Sequence, residues 1–127
     1  MHVEVQVDPS RLQRMLRRRG GLAERRLRAR TERVAALARQ EAAPHGSVAS
    51  RITTDVREGP SGLVGFVISN HPASRYILDG TRPHLIRPRR RKALRFDVGG
   101  EIVFAKLVRH PGTRAHNFLG IALRLGR

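Results

Sequence analysis

Apolar and polar residues alternate at the start of the chain. Val3, Val5 and Val7 fall on one side and Glu4 and Gln6 on the other, which predicts a short half-buried strand over residues 2–7. Asp8-Pro9-Ser10 stops it and offers a helix cap, Asp8 or Ser10. From Pro9 to Ala43 the period changes. Leu12, Met15, Leu16, Ala23, Leu27, Val34, Leu37 and Ala38 recur every three to four residues, so one stripe of a helix is apolar and the other faces are crowded with Arg. Gly20-Gly21 would cost about 2 kcal/mol inside a helix and predicts a kink or a split there. An unbroken helix would be on the order of 50 Å long. A domain this small cannot cover it, so part is expected to project or pack on another subunit.

Beyond Pro44-His45-Gly46 the alternation returns. Arg51–Arg57 and Leu63–Ser69 read as strands joined by Glu58-Gly59-Pro60-Ser61-Gly62, an antiparallel hairpin whose second strand is mostly apolar and expected to be central. After Asn70-His71-Pro72, residues 73–78 predict a short helix, with Gly80 placed to take the left-handed conformation that ends it. His84-Leu85-Ile86, Ala93–Phe96 and Ile102–Val108 read as strands, with a tight turn at Val98-Gly99-Gly100. Residues 115–125 read as a terminal helix with Phe118, Leu119, Ala122 and Leu123 on its apolar face. The order predicts an α+β fold: a long N-terminal helix, an antiparallel β-sheet, a short middle helix and a C-terminal helix. Residues 1–127 are expected to form a single domain. Its parts are a basic helical segment at 9–43, a sheet with two short helices at 48–125 and a basic loop at 81–92.

Charge sharpens this picture. The chain carries 26 basic and 10 acidic residues for a formal charge of +16, and all but two of the bases, Lys92 and Lys106, are Arg. Such self-repulsion is best tolerated against polyanion or acidic protein, and Arg presents a planar fork to phosphate and carboxylate. Aromatics make up 4% of residues with no Trp, so the core must be aliphatic and thin, the kind that assembly with other copies supports. No Cys is present, which excludes disulfides and thiolate metal sites. The opening residues lack a leader pattern, and no apolar run reaches membrane-spanning length.

Arg87-Pro88-Arg89-Arg90-Arg91-Lys92 holds five bases in six residues without an acid. With Arg82 it predicts an exposed cationic loop that touches DNA phosphates or an acidic partner. Arg17, Arg18 and Arg19 make a second, weaker basic patch. Tyr76, Phe66, Phe96 and Phe104 lie within apolar runs and are expected in the core, which disfavours base stacking; contact with nucleic acid should be nonspecific and salt-dependent. No helix-turn-helix, zinc finger or basic zipper is visible. His2, His45, His71, His84, His110 and His116 show no metal-ligand spacing, although His110 and His116 flank one turn and could approach each other. No nucleophile motif or phosphate-cradling loop is present, so neither catalysis nor a metal or cofactor is expected. One catalytic alternative is a small toxin-like ribonuclease built on Arg82, His84, Arg87 and His110. The other alternative is a nonspecific nucleic-acid-binding protein.

Several motifs fall in a telling order. The basic helix ends at Pro44, followed by Gly46, Ser50 and Ile52; then come Tyr76-Ile77-Leu78-Asp79-Gly80-Thr81, Pro83-His84-Leu85-Ile86-Arg87-Pro88 and Lys92-Ala93-Leu94-Arg95-Phe96. Val103-Phe104-Ala105-Lys106, His110-Pro111-Gly112-Thr113 and Phe118-Leu119 complete the series. From Pro9 to Leu123 the chain resembles the tail-completion, or neck, proteins of lambda-like long-tailed bacteriophages, the small head–tail connector or minor tail proteins. Asp79 departs from the more usual Glu, and Gly20-Gly21 from an unbroken helix. The resemblance implies that Gly80, Thr81, His84, Pro88, His110, Pro111, Gly112, Thr113 and Phe118 are structural. It implies a ring, expected to be a hexamer, at the head–tail junction of the virion, assembled in the bacterial cytoplasm. Its partners would be copies of itself, the tail terminator and head-completion rings, and double-stranded DNA in the lumen, with no membrane and no catalysis.

Overall fold

A computed structural model describes all 127 residues. The first helix, α1 (Pro9–Arg17), starts where the sequence places it. Asp8 accepts hydrogen bonds from the backbone N–H of Ser10 and Arg11, 2.9 and 3.3 Å, and Pro9 occupies the first turn, where a missing N–H costs nothing. The helical run then splits. Arg18 is extended, Gly20 takes a φ of +72°, and α2 (Leu22–Ala42) begins after Gly21 without a capping side chain of its own. Glu24, in its first turn, closes the gap. Its carboxylate accepts from Gly20 N–H at 2.6 Å and from the Arg28 guanidinium at 2.9 Å.

Those contacts, the Gly20 N–H first and Arg28 second, hold the Glu24 carboxyl below its ordinary 4.5. A lowered carboxyl stabilises the fold above its unfolded pKa and loses that contribution as pH falls through the folded value. The stability difference between wild type and Glu24→Gln should therefore be full at neutral pH and vanish in acid below pH 4.5. Denaturant melts at a series of pH values would measure it, and a difference independent of pH would contradict this role.

The inner side of α2 buries Thr31, Val34, Ala35, Ala38 and Ala42. Its small residues let two partners come close. One is a hairpin, β1 (Ile52–Gly59) and β2 (Gly62–Ser69), in register from Ile52↔Ser69 to Gly59↔Gly62. Ile52 and Val56 are buried beneath the helix. A Cβ on Gly65, opposite Val56, would stand 2.1 Å from the Thr31 hydroxyl, so that position admits only a glycine while Thr31 keeps its place. The other partner is α4 (Phe118–Leu125), capped by Asn117 accepting from Gly120 N–H at 2.8 Å, with Phe118 and Ala122 fully buried. Between α2 and β1, residues 43–51 run in 3-10 turns bent at Gly46, so the long helix ends at Ala42 and Pro44 opens the next segment. Arg39 donates to the Ile52 carbonyl at 3.0 Å.

Residues 1–74 and 117–127 make this first compact unit, and 75–116 make a second. The second contains most of α3 (Ser74–Asp79), ended by Gly80 at φ +72° as expected. It then holds β3 (His84–Ile86), β4 (Leu94–Val98), β5 (Glu101–Ala105) and β6 (Val108–His110). β4 and β5 form a hairpin over Gly99-Gly100, both at positive φ, and β3 pairs with β6. None of residues 75–116 is buried.

The architecture is α+β with antiparallel strands and a C-terminal helix, and the strands form three separate two-stranded ladders. Three local expectations change. Residues 2–7 are in no strand, and Val3 and Val5 are 77% and 79% exposed: alternation yields a strand only where an edge arrives to pair with it. β2 is not central, because each strand has one partner. The single run 102–108 breaks at Lys106-Leu107 into β5 and β6, which pair with different strands.

Candidate functional site

Two motifs more than thirty residues apart meet in the second unit. Thr81 and Thr113 exchange backbone hydrogen bonds, each 3.0 Å, and their hydroxyls lie 3.0 Å apart. A glycine makes each approach feasible. A Cβ on Gly80 would stand 2.7 Å from the Thr113 carbonyl oxygen, and one on Gly112 (φ +83°) only 2.3 Å from that of Thr81. Asp79-Gly80-Thr81 and His110-Pro111-Gly112-Thr113 are thus two halves of one clasp, a pairing that neither motif announces alone.

The clasp sets β3 against β6 and brings His84 onto His110, ring centroids 4.9 Å apart and stacked. Both Nδ1 atoms are engaged by backbone. His84 Nδ1 donates to the Arg82 carbonyl at 2.8 Å, and His110 Nδ1 accepts from Gly112 N–H at 3.1 Å. His110 therefore stacks on His84. No three metal-ligating side chains gather anywhere in the chain.

The basic loop leaves β3 at Arg87 and rejoins the hairpin at Leu94, with no regular structure between. Arg82, Arg87, Arg89, Arg90, Arg91 and Lys92 are all exposed, and none is ion-paired. The second unit carries eleven bases against three acids, Asp79, Asp97 and Glu101, a net +8. Asp79 lies 3.8 Å from Arg75, and Asp97 accepts from Gly100 N–H at the hairpin turn. Nothing acidic lies within the loop to neutralise it. The loop is not uniform, however. Arg82 and Arg89 share an open cleft with Tyr76, Thr81 and His84, while Arg87 and Arg89 flank a second beside His84 and Leu85. Arg90, Arg91 and Lys92 line neither. His84 thus sits where three of the six predicted cations converge.

No family model, curated protein or solved structure matches this chain.

The second basic patch is divided. Arg17 is tied to the first unit's hairpin turn, donating to the Pro60 carbonyl at 2.8 Å and lying 3.8 Å from Glu58, so it is a structural strut; Arg18 and Arg19 stay exposed in the break between α1 and α2. Pro88, inside the loop, and Pro111, inside the clasp turn, both lack a backbone N–H and lie outside the strands. Phe118 anchors α4 and takes no part in the cationic surface.

The aromatic residues expected in the core are the clearest correction. Tyr76, Phe66, Phe96 and Phe104 are 63%, 41%, 37% and 66% exposed. A two-stranded ladder has nothing of its own to cover either face. Phe66 instead lies under the Arg57 guanidinium, 5.4 Å from its ring centroid. Part of this signal was in the sequence: the run 101–105 places Ile102, Val103, Phe104 and Ala105 at successive positions, so no register buries them all.

Proposed function

We propose that this chain is a structural protein of a long-tailed phage virion. It forms a ring, expected to be a hexamer, at the head–tail junction that completes or joins the tail around the DNA path. It performs no catalysis and takes no cofactor or metal. It is put together in the bacterial cytoplasm among tail-terminator and head-completion rings. The observation that carries the reading is uncovered apolar surface. Leu12, Met15 and Leu16 on α1, and Val98, Ile102 and Phe104 on the second hairpin, are all between 44% and 66% exposed. Surface of that extent marks a contact with other protein, and a head-to-tail ring covers it on every copy without leaving open ends.

Native mass spectrometry and electron microscopy of the protein, alone and with tail preparations, test this directly. A closed ring is expected. A strict monomer that never enters virions would sink the proposal.

The exposed, unpaired loop favours a second reading, in which nonspecific binding to nucleic acid is the main role. Duplex affinity should then fall steeply with salt, and Arg89→Ala/Arg90→Ala/Arg91→Ala should flatten the log–log slope by roughly 2.7, about 0.9 per lost phosphate contact. A slope unchanged by the triple substitution would assign the loop to an acidic protein surface instead.

A further inference from the structure

The first unit carries an apolar groove of about 540 Å³ between α2, β2 and α4, lined by Leu27, Val34, Phe66, Leu119 and Leu123, with Arg30 among its walls. Its depth comes from glycines at two further lining positions. Gly65 brings β2 against Thr31, and Gly120 leaves room where a Cβ would strike the Asn117 amide. Nothing in the first unit fills the groove, and Leu123 on its rim is 61% exposed.

The β4–β5 hairpin has the opposite shape. It is a preformed projection with Phe104 66% and Ile102 53% exposed. The register places both on one face, Ile102 beside Asp97 and Phe104 beside Arg95. In a chain of +16, residues 94–105 hold two acids and one base. The Gly100 N–H fixes the Asp97 carboxylate at the tip.

We infer that the Ile102–Phe104 face of the hairpin of one copy docks in the α2–β2–α4 groove of the next, with Asp97 meeting Arg30. The inference rests on the ring reading and specifies its contact. Charge complementarity selects the occupant: among strongly basic copies this hairpin is the apolar projection without net positive charge, its docking face offsetting Arg95 with Asp97, so a groove holding an arginine does not repel it and gains Asp97 as a partner. Preorganisation selects it over residues 1–7, which also carry an acid, Glu4, but have no strand structure and would lose more entropy on docking. Groove and projection are different surfaces of one chain. The contact is therefore heterologous, and repetition propagates it around a ring.

The test uses full-length chains. Ile102→Glu/Phe104→Glu disables the projection, and Leu123→Glu disables the groove; each should lower self-association at least tenfold, read by native mass spectrometry or sedimentation. Mixed together, the two variants retain one intact interface per pair and should form a 1:1 dimer but no larger ring. That rescue also shows that both variants are folded. Arg30→Asp and Asp97→Arg should each weaken assembly about two- to fivefold, and the double charge swap should restore it. If either apolar variant still closes rings, or the mixture stays monomeric while wild type assembles, the inference fails and the ring reading stands. Loss of assembly on deleting residues 1–7 and in Leu123→Glu, with Ile102→Glu/Phe104→Glu unaffected, would assign the groove to the N-terminal segment. A wild-type chain that stays monomeric at all concentrations and beside its tail preparation would end both.

Discussion

Gly112→Ala is expected to dismantle the Thr81–Thr113 clasp at a cost of about 3 kcal/mol or more, the range reserved for backbone strain and steric conflict. Two effects add. The φ of +83° penalises any residue with a Cβ by about 1–2 kcal/mol. The new methyl would also stand 2.3 Å from the Thr81 carbonyl oxygen, 2.9 Å from the Arg82 carbonyl carbon and 3.0 Å from the Pro83 nitrogen. All three are backbone atoms, so no side-chain rotation relieves the conflict. The two segments must separate, and their paired amides must open. Hydrogen exchange at Thr81 and Thr113 reads this directly. Gly99→Ala is the control: its φ is +62° but nothing lies within 4 Å of the added carbon, so only the conformational penalty applies. Equal protection of the Thr81 and Thr113 amides in Gly112→Ala and wild type would refute the clasp. Loss of the clasp should also release His84 from His110 and scatter Arg82, Arg87 and Arg89. Any anion binding at the basic loop should weaken with it.

The second large effect falls in the other unit. Phe118→Ala should cost about 3–5 kcal/mol, the usual loss for a buried phenyl ring when the site cannot collapse. Phe118 is 0% exposed and is the largest fully buried side chain, sharing a core otherwise made of Val, Ile and Ala. Small neighbours cannot expand into the cavity. A domain's whole stability is about 5–15 kcal/mol, so the variant should unfold at much lower denaturant, and α4 should detach from α2. Leu125→Ala, on the same helix but 64% exposed, should change stability by no more than about 0.5 kcal/mol. Comparable midpoints for Phe118→Ala and Leu125→Ala would show that α4 is not anchored by that ring.

The contrast between Phe118 and Leu125 bears on how legible the fold was. The apolar face of α4 was readable from spacing, but Phe118 and Ala122 are buried while Leu123 and Leu125 are not. Periodicity assigns residues to a face; it does not say how wide a partner covers it. The same holds for α1, whose Leu12, Met15 and Leu16 form a well-spaced stripe that the monomer leaves exposed. In the candidate site the loop's charge, its exposure and its turn residues were plain from residue types. The convergence of Arg82, Arg87 and Arg89 about His84 was not, because it follows from Thr81 meeting Thr113, and a long-range pairing leaves no mark on the spacing within either segment.

Residue types and their local order set the helices, the two hairpins with their glycine turns, the split at Gly20-Gly21, and the unneutralised charge of residues 82–92. These follow from short-range causes: periodicity, capping, φ preference and like-charge crowding act within a few residues. Pairing and burial belong to the folded chain. Which strands found partners, which half of each apolar stripe was covered, and which Arg became a strut and which stayed free depend on backbone segments arriving from far along the sequence. With little large apolar material to spare, the first unit builds its core around small residues and one phenyl ring, and the second buries no side chain of its own. The leftover apolar faces are therefore a product of three-dimensional packing, and they are the surfaces on which the proposed ring rests.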